Sequence, residues 1–284
     1  MTWRECLAGG MKMLEDAGIP DADIDARILL ESFCGISRSG YYLHADEEMP
    51  QDLTAAYQRI LEKRRQRIPL QHLTGEQEFM GLPFAVTGDV LIPRQDTETL
   101  AEEAIACLKK MADSAGGLRV LDLCTGSGCL AVSIKHVLPD AAVTASDISA
   151  EALAAARENA GRNRAEIDFV ESDLFDRIPG AFHLIVSNPP YIPTDVIETL
   201  MPEVRRFEPR LALDGGADGL MFYREIAAQS AAHLVPGGWI YVEIGCDQGP
   251  DVAGMFRSAG LGQIQIKKDL AGNPRIVCGC RMGG

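Results

Sequence analysis

Up to about residue 70, apolar side chains recur at helical spacing. Trp3, Leu7, Met11 and Leu14 fall on one face of a helix, which Thr2 and Glu5 open as a capping box and Gly18 stops. The stretch DADIDARILLESF predicts a second helix running to Gly35. Leu53, Tyr57, Ile60 and Leu61, at i, i+4, i+7 and i+8, predict a third that ends before Pro69. Three apolar faces of this kind predict a small helical bundle. The period then changes. GEQEFMGLPFAVTGDVLIP carries short β-prone pieces around Gly81 and Gly88 and predicts a hairpin.

From about Asp96 onward, apolar strands alternate with helices. A helix over 97–111 leads to the strand LRVLDL, a glycine loop and a helix ending near Pro139. The strand AAVTAS, a helix opened by Ser149, and the strands IDFVE and FHLIVS follow. The helical and loop stretch DVIETLMPEVRRFEPRLALDGG precedes a helix over LMFYREIAAQSAAHL. The strands GWIYVEIG, GQIQIKKD and RIVCGC close the chain, with a helix between the first two. This alternation predicts an α/β fold with a mostly parallel sheet covered on both faces. The expected organisation is a helical domain over 1–70, a β-hairpin linker over 71–95 and an α/β domain over 96–284.

Composition narrows the class. At 284 residues, 46% hydrophobic and 24% charged, the chain is an ordinary globular sequence able to bury a sizeable core. No window approaches the roughly 18 uninterrupted apolar residues of a membrane span. The start, MTWRECLAGGMKMLEDAG, has acids in its first turns instead of a basic and then apolar leader, so a cytoplasmic protein with no membrane partner is expected. The 8 cysteines are scattered without a C-x-x-C pair, and the close pair Cys278 and Cys280 is expected to be buried in a terminal strand; no metal is expected. The net charge of -14 argues against a chain that grips nucleic acid through its backbone. The one basic run, EKRRQR at the end of the third helix, reads as a solvated helix end that complements the helix dipole.

Chemistry concentrates where strands end. VLDLCTGSGCLA places Gly126 and Gly128 directly after a strand and at the opening of a helix, where bare N–H groups and the absence of side chains suit a polar ligand. Asp147 ends the next strand, positioned to accept hydrogen bonds from both hydroxyls of a ribose. Taken alone, the loop fits a nicotinamide dinucleotide as well as S-adenosylmethionine, since Gly126, Gly128 and Ala131 also satisfy G-x-G-x-x-G/A. Two further acids favour the sulfonium cofactor. Asp122, just before the glycines, would repel a pyrophosphate and welcome a cationic ammonium or sulfonium. Asp173, in ESDLF, is placed to accept from an adenine amino group, with Leu174 available to cover the ring.

The fourth strand ends in Asn188-Pro189-Pro190-Tyr191, facing the same crevice. The prolines fix the local backbone and remove two N–H donors, leaving a rigid surface rich in acceptors. A planar NH2 group is a poor nucleophile because its lone pair is delocalised. If the Asn188 side-chain oxygen and the Pro189 carbonyl accept its hydrogens, the nitrogen can direct that lone pair at a methyl group about 3 to 3.5 Å away. Tyr191 is expected to pack the flat group in place. A nicotinamide oxidoreductase would use the glycine loop but gives Asn188-Pro-Pro no task. A methyltransferase acting on an exocyclic amine of nucleic acid would use both, yet the chain lacks a basic domain with aromatics for a flipped base.

The segments DLCTGSGCLA, ASDIS, ESDLF and VSNPPYIP resemble class I methyltransferases that modify planar NH2 groups. The flanking GEQEFMGLPFAVTGDVLIPRQDTETL, DGLMFYREI and KDLAGNPRIVCG resemble one family among them, the peptide chain release factor glutamine N5-methyltransferases (PrmC/HemK family). The likeness runs from about residue 70 to 280, and the helical region before it is similar to that family's N-terminal domain. It implies a Rossmann-like domain with a mostly parallel seven-stranded sheet. By the same resemblance Cys124, Thr125, Gly126, Ser127, Gly128, Asp147, Leu174 and Asn188 would contact S-adenosylmethionine, and Asn188, Pro189, Pro190 and Tyr191 would hold the glutamine of a release factor's Gly-Gly-Gln tip. A ribosomal-protein glutamine is the nearest alternative substrate. The chain is expected to act as a monomer, with its helical region recognising the protein substrate. Three positions depart from the family pattern: Gln95 stands where proline is usual, Cys124 where glycine is common, and Leu174 where some members have tryptophan.

Overall fold

The capping box expected at the N-terminus is formed: the Glu5 N–H donates to Thr2 Oγ1 at 3.2 Å and the Thr2 N–H to Glu5 Oε2 at 2.9 Å. It opens the first of the helices in a computed structural model that describes residues 1–112 and 117–283. The chain divides into two compact units, Met1–Gly75 with Met201–Phe207, and Glu76–Leu200 with Glu208–Gly284.

The first unit is helical: α1 (Trp3–Asp16), α2 (Ala22–Cys34), α3 (Arg38–His44), α4 (Gln51–Arg65) and α5 (Leu70–Thr74). Its core is the expected apolar stripe, with Leu14, Leu29, Leu30, Tyr57 and Leu61 fully buried and the Tyr57 hydroxyl donating to the Ala26 carbonyl at 2.9 Å. The short helices α3 and α5 were not expected; at seven and five residues neither is long enough to show an apolar period. The basic run is a correction to the sequence reading. Arg65 pairs with Glu62 on the surface, but Arg64 is buried, its Nε donating to Asp25 at 2.6 Å and its Nη1 to Glu203 at 3.0 Å. The cause is helical phase. Three and seven residues after Leu61 and Tyr57, Arg64 falls on the buried stripe of α4. Glu203 belongs to the short helix Pro202–Phe207, which joins this unit although it lies far along the chain.

The second unit begins with a hairpin of β1 (Glu76–Phe79) and β2 (Leu82–Ala85), turned by Met80 and Gly81, both at positive φ as a two-residue primed turn requires. Then come α6 (Gln95–Ala112), β3 (Arg119–Leu123), α7 (Cys129–Val137), β4 (Ala142–Asp147), α8 (Ala150–Arg162), β5 (Asp168–Glu171) and β6 (Phe182–Ser187). Beyond α9 (Pro202–Phe207, of the first unit) the chain continues through α10 (Met221–His233), β7 (Leu234–Glu243), α11 (Gly249–Ser258), β8 (Leu261–Lys268) and β9 (Pro274–Arg281). Among the described residues seven of these strands form one sheet in the order β5-β4-β3-β6-β7-β9-β8, parallel except at β9. Cys278 and Cys280 are buried in β9, as expected of a terminal strand. The expected start of β7 at Gly238 moves back to Leu234, directly after α10.

Alternate residues of the central strands face two apolar layers. Val120, Leu184 and Val186 join one layer with α6 and α7, while Leu121, Leu123 and Ile185 join the other with α10 and α11. Strand order reverses at β3, whose neighbours are β4 and β6, so the carboxyl ends of these strands frame a crevice. The hairpin is tied to this unit by Asn159 of α8. Its Oδ1 accepts the Ala85 N–H at 2.7 Å, and its Nδ2 donates to the Ser127 carbonyl at 2.9 Å, so one buried amide braces both hairpin and glycine loop. Among the described residues no helix is long and apolar enough to cross a membrane.

Candidate active site

A cavity of about 310 Å³ opens at that crevice, a size suited to a small organic ligand. Its floor is the β3–α7 loop, contributed by Cys124, Thr125, Gly126 and Ser127. Asp147 comes from the end of β4, Asp173 and Leu174 follow β5, and Asn188 and Pro190 follow β6. The remaining wall comes from Leu91, Pro93, Arg94 and Thr97 ahead of and within α6, and from Pro209, Leu211, Met221 and Phe222.

The two glycines of the loop have different tasks. Gly126, at φ +53, lines the cavity, and a Cβ built there would meet nothing within 4 Å, so its bareness leaves room. Gly128, at φ +80, is not on the cavity wall; a Cβ there would stand 3.0 Å from that of Ala156, so this glycine lets α7 approach α8. Cys124 and Leu174, at φ +57 and +43, hold a left-handed backbone unusual for residues with side chains, and both line the cavity. The first value gives a physical reason why glycine would suit position 124.

Asp147 is anchored on both oxygens: Oδ2 accepts the Gly126 N–H at 2.9 Å and Oδ1 the Ser149 N–H at 3.0 Å. Burial pushes its pKa up, and these N–H groups work against that shift. Each oxygen keeps lone pairs for a ligand hydroxyl.

Asp122 lies elsewhere than expected. It is fully buried behind the loop and off the cavity wall, its Oδ2 accepting the Thr125 hydroxyl at 2.6 Å and the Ala131 N–H at 3.1 Å. Strand alternation explains the displacement, because Asp122 shares the face of Val120, under α7. Its Oδ1 has no partner among the described residues, and burial pushes its pKa up to about 7.

At the end of β6, Asn188 reaches the cavity while Pro189 is buried and Tyr191 lies off the wall. Tyr191 was expected to hold a flat substrate group; instead its hydroxyl turns inward to Glu243 Oε1 at 3.4 Å and its ring packs in the apolar layer. Four residues that the sequence did not single out, Thr97, Glu243, Gln248 and Gly219, complete this corner. Asn188 Nδ2 donates to Thr97 Oγ1 at 3.3 Å, and the Thr97 hydroxyl donates to Glu243 Oε2 at 2.6 Å. Gln248 Nε2 donates to the Tyr191 carbonyl at 2.9 Å. Gly219, at φ +71, passes so close that a Cβ would stand 2.4 Å from the Tyr191 carbonyl oxygen. One signal was present for Glu243: like Asp122, it is a lone acid ending an otherwise apolar strand.

Comparison with known proteins adds the following. A family model described as the PrmC N-terminal domain matches residues 5–75, and one described as the methyltransferase small domain matches residues 102–202. The release factor glutamine methyltransferase of Deinococcus radiodurans is 42% identical over 100% of both chains. That of Geobacter sulfurreducens is 42% identical over 98% of this chain and 96% of its own. Among solved structures, a methyltransferase from Pyrococcus furiosus shares the fold with a TM-score of 0.53 at 18% identity, covering 78% of this chain and 100% of that one.

Proposed function

This chain belongs to the release factor glutamine methyltransferases, and from that premise we infer that it methylates the side-chain amide nitrogen (N5) of the glutamine in the Gly-Gly-Gln motif of peptide chain release factors, with S-adenosylmethionine as donor. Such a substrate puts the reaction in the cytoplasm and ties it to translation termination.

The residues of the cavity fit the donor. Asp147 offers a fixed carboxylate for a ribose diol, Gly126 leaves the loop open beside it, and Leu174 supplies an apolar surface for a base with Asp173 at its edge. Cys124, Thr125 and Ser127 complete the floor, while Gly128 and Asp122 act from behind it by shaping the loop. S-adenosylmethionine, when bound, supplies an electrophilic methyl group on a sulfonium.

The remaining work belongs to the chain. The observation that carries the reading is the orientation of Asn188: its NH2 is turned onto Thr97, and its Oδ1 takes no hydrogen bond from the described residues. That oxygen is therefore available to accept one hydrogen of a glutamine amide, and the Pro189 carbonyl is the acceptor proposed for the other. Held so, the amide nitrogen keeps its lone pair for the methyl, and the fixed acceptors stabilise the positive charge that develops on it. Pro190 closes the cavity beside them, and Tyr191, through its hydroxyl and carbonyl bonds, holds the segment still.

Mass spectrometry of purified release factors and ribosomal proteins, incubated with enzyme and S-adenosylmethionine, tests the reading. An added CH2 on the Gly-Gly-Gln glutamine is expected. Methylation of a ribosomal-protein glutamine alone, or of neither, would overturn the substrate assignment.

A further inference from the structure

Glu243 sits at the carboxyl end of β7, between Val242 and Ile244, and is 1% exposed. In register with Ile276 of β9, it occupies a place where an apolar side chain would serve the sheet better, since a buried carboxylate without a bonded cation costs stability. Its two oxygens are not idle. One accepts the Thr97 hydroxyl and the other the Tyr191 hydroxyl.

Counting protons settles the direction of the chain that begins there. An ionised carboxylate has no hydrogen to give, so the single hydroxyl hydrogen of Thr97 must point at Glu243. Only lone pairs of Thr97 then face Asn188. The Asn188 oxygen cannot occupy that position without setting lone pair against lone pair, so its NH2 group does, and the oxygen is left for the cavity. The oxygen and nitrogen of an asparagine are ordinarily hard to tell apart; here the network distinguishes them.

We propose that Glu243 and Thr97 are positioning residues for the transfer: through Thr97, Glu243 dictates which end of the Asn188 carboxamide meets the substrate amide. The inference rests on the glutamine-methylation reading and deepens it, because a flipped Asn188 would present donors to a group that must itself donate. It also makes the orientation sensitive to acid. Protonated Glu243 could donate to Thr97, freeing the Thr97 hydroxyl to donate to Asn188 and hold the flipped amide. Burial pushes the Glu243 pKa up to about 7, with Thr97, Arg275 and Tyr191 working against it and Asp96 adding to it. The other ionisable groups that face it are Tyr223, whose hydroxyl donates to the Glu243 carbonyl at 2.7 Å, and Cys129. Arg275 is itself shared between Asp96 and Asp269, each at 3.1 Å. The correct orientation is therefore present above that pKa and lost as pH falls through it.

The test uses the full chain and a release factor as substrate. Glu243→Gln keeps the shape of the side chain but carries its own NH2, so it no longer dictates the hydroxyl direction; kcat should fall on the order of 10- to 100-fold, as for a small misplacement of reacting groups. The KM for release factor and the Kd for S-adenosylhomocysteine should hold, and the acid limb near pH 7 should vanish from the kcat profile. Thr97→Val should lose kcat to the same degree and Thr97→Ser should restore it. In the wild-type protein alone, the Asn188 side-chain amide NMR signals should titrate near pH 7, a readout that needs no substrate. Titrating Asn188 signals beside an unmethylated release factor would overturn the substrate reading and leave the orientation device standing. A Glu243→Gln enzyme with wild-type kcat and an unchanged acid limb, or one that loses cofactor affinity in step with kcat, would overturn the positioning role. Asn188 signals flat with pH would overturn it as well.

Discussion

In the helical unit a guanidinium is buried between two carboxylates; in the α/β unit Asp122 and Glu243, its two most deeply buried acids among the described residues, are not ion-paired. Arg64 closes onto Asp25 and Glu203, and Glu203 meets Arg67 as well, at 3.2 Å. Asp122 and Glu243 instead accept from hydroxyls and an N–H that belong to the cavity's own supports: Thr125 and Ala131 for one, Thr97 and Tyr191 for the other. Such an ion cluster turns its charges on one another and specifies how elements fit together. An acceptor without a cation transmits direction to whatever donates to it, and that is what a site needs when the orientation of a single amide decides the chemistry.

The largest expected effect follows from the closed cluster. Arg64→Ala would strand buried Asp25 and leave Glu203 to Arg67 alone, and removal of one partner from a buried pair typically costs about 3 to 5 kcal/mol. Burial already pushes the Asp25 pKa up, with Arg64 opposing it, so the acid has nothing else to lean on. The loss should appear in native-state hydrogen exchange as easier opening of α2 and α4, with the amides of β3 and β6 unaffected. An unchanged opening free energy in α4 would mean that the cluster is not the lock of this unit.

At the open acceptors the expected loss is catalytic instead. Asn188→Ala removes the preorganised oxygen, and deletion of one such group typically lowers kcat about 10²- to 10³-fold, or roughly 3 to 4 kcal/mol. Calorimetry with S-adenosylhomocysteine should show little change. An alanine variant with near-normal turnover would remove the amide-orienting role and with it one side of the contrast.

The same contrast explains what could be read from the sequence. That the glycine loop, Asp147 and Asn188 gather at one cavity was legible because each lies in a short stretch at a strand end, where the residue type and the turn chemistry appear together. The Thr97–Glu243 bond spans 146 positions, and the Asn188–Thr97 bond spans 91; no local pattern records either. Arg64 was hidden differently. Its neighbours make EKRRQR look like a solvated run, yet the phase of Tyr57 and Leu61 already assigned it to the buried face. Asp122 and Tyr191 were found as residues but placed on the wrong side of the wall, since which face a strand-end side chain takes depends on the layers packed against it. The sheet itself was legible in element order, whereas α3 and α5 were too short to carry a period.

Asp147 sharpens the contrast from a third position, because it is a carboxylate that the chain bonds and the cavity also meets. Asp147→Ala should weaken S-adenosylmethionine binding by about 2 to 3 kcal/mol, the worth of one or two hydrogen bonds to a charged group once solvent has replaced part of it. Unlike Asn188→Ala, it should raise the cofactor Kd. Unaltered affinity in calorimetry would sink the ribose assignment and leave Asp147 as a brace for Gly126 and Ser149 only.

The smallest effect is expected at Thr2, and its value lies in being local. The hydroxyl accepts the Glu5 N–H and the Glu5 carboxylate returns the bond, so Thr2→Ala leaves first-turn donors of α1 to water, not to a buried void. Loss of such a cap costs about 1 kcal/mol. If the helical unit is held chiefly by the closed Arg64 cluster and the core around Tyr57, fraying one turn of α1 should lower its unfolding midpoint slightly. Methyl transfer to release factor at temperatures well below that midpoint should not change. Combined with Arg64→Ala, the two losses should add, since the residues share no partner and act on different helices. A Thr2→Ala loss as large as that of Arg64→Ala would mean that the unit's stability resides in α1, and the buried cluster would then have no special part in it.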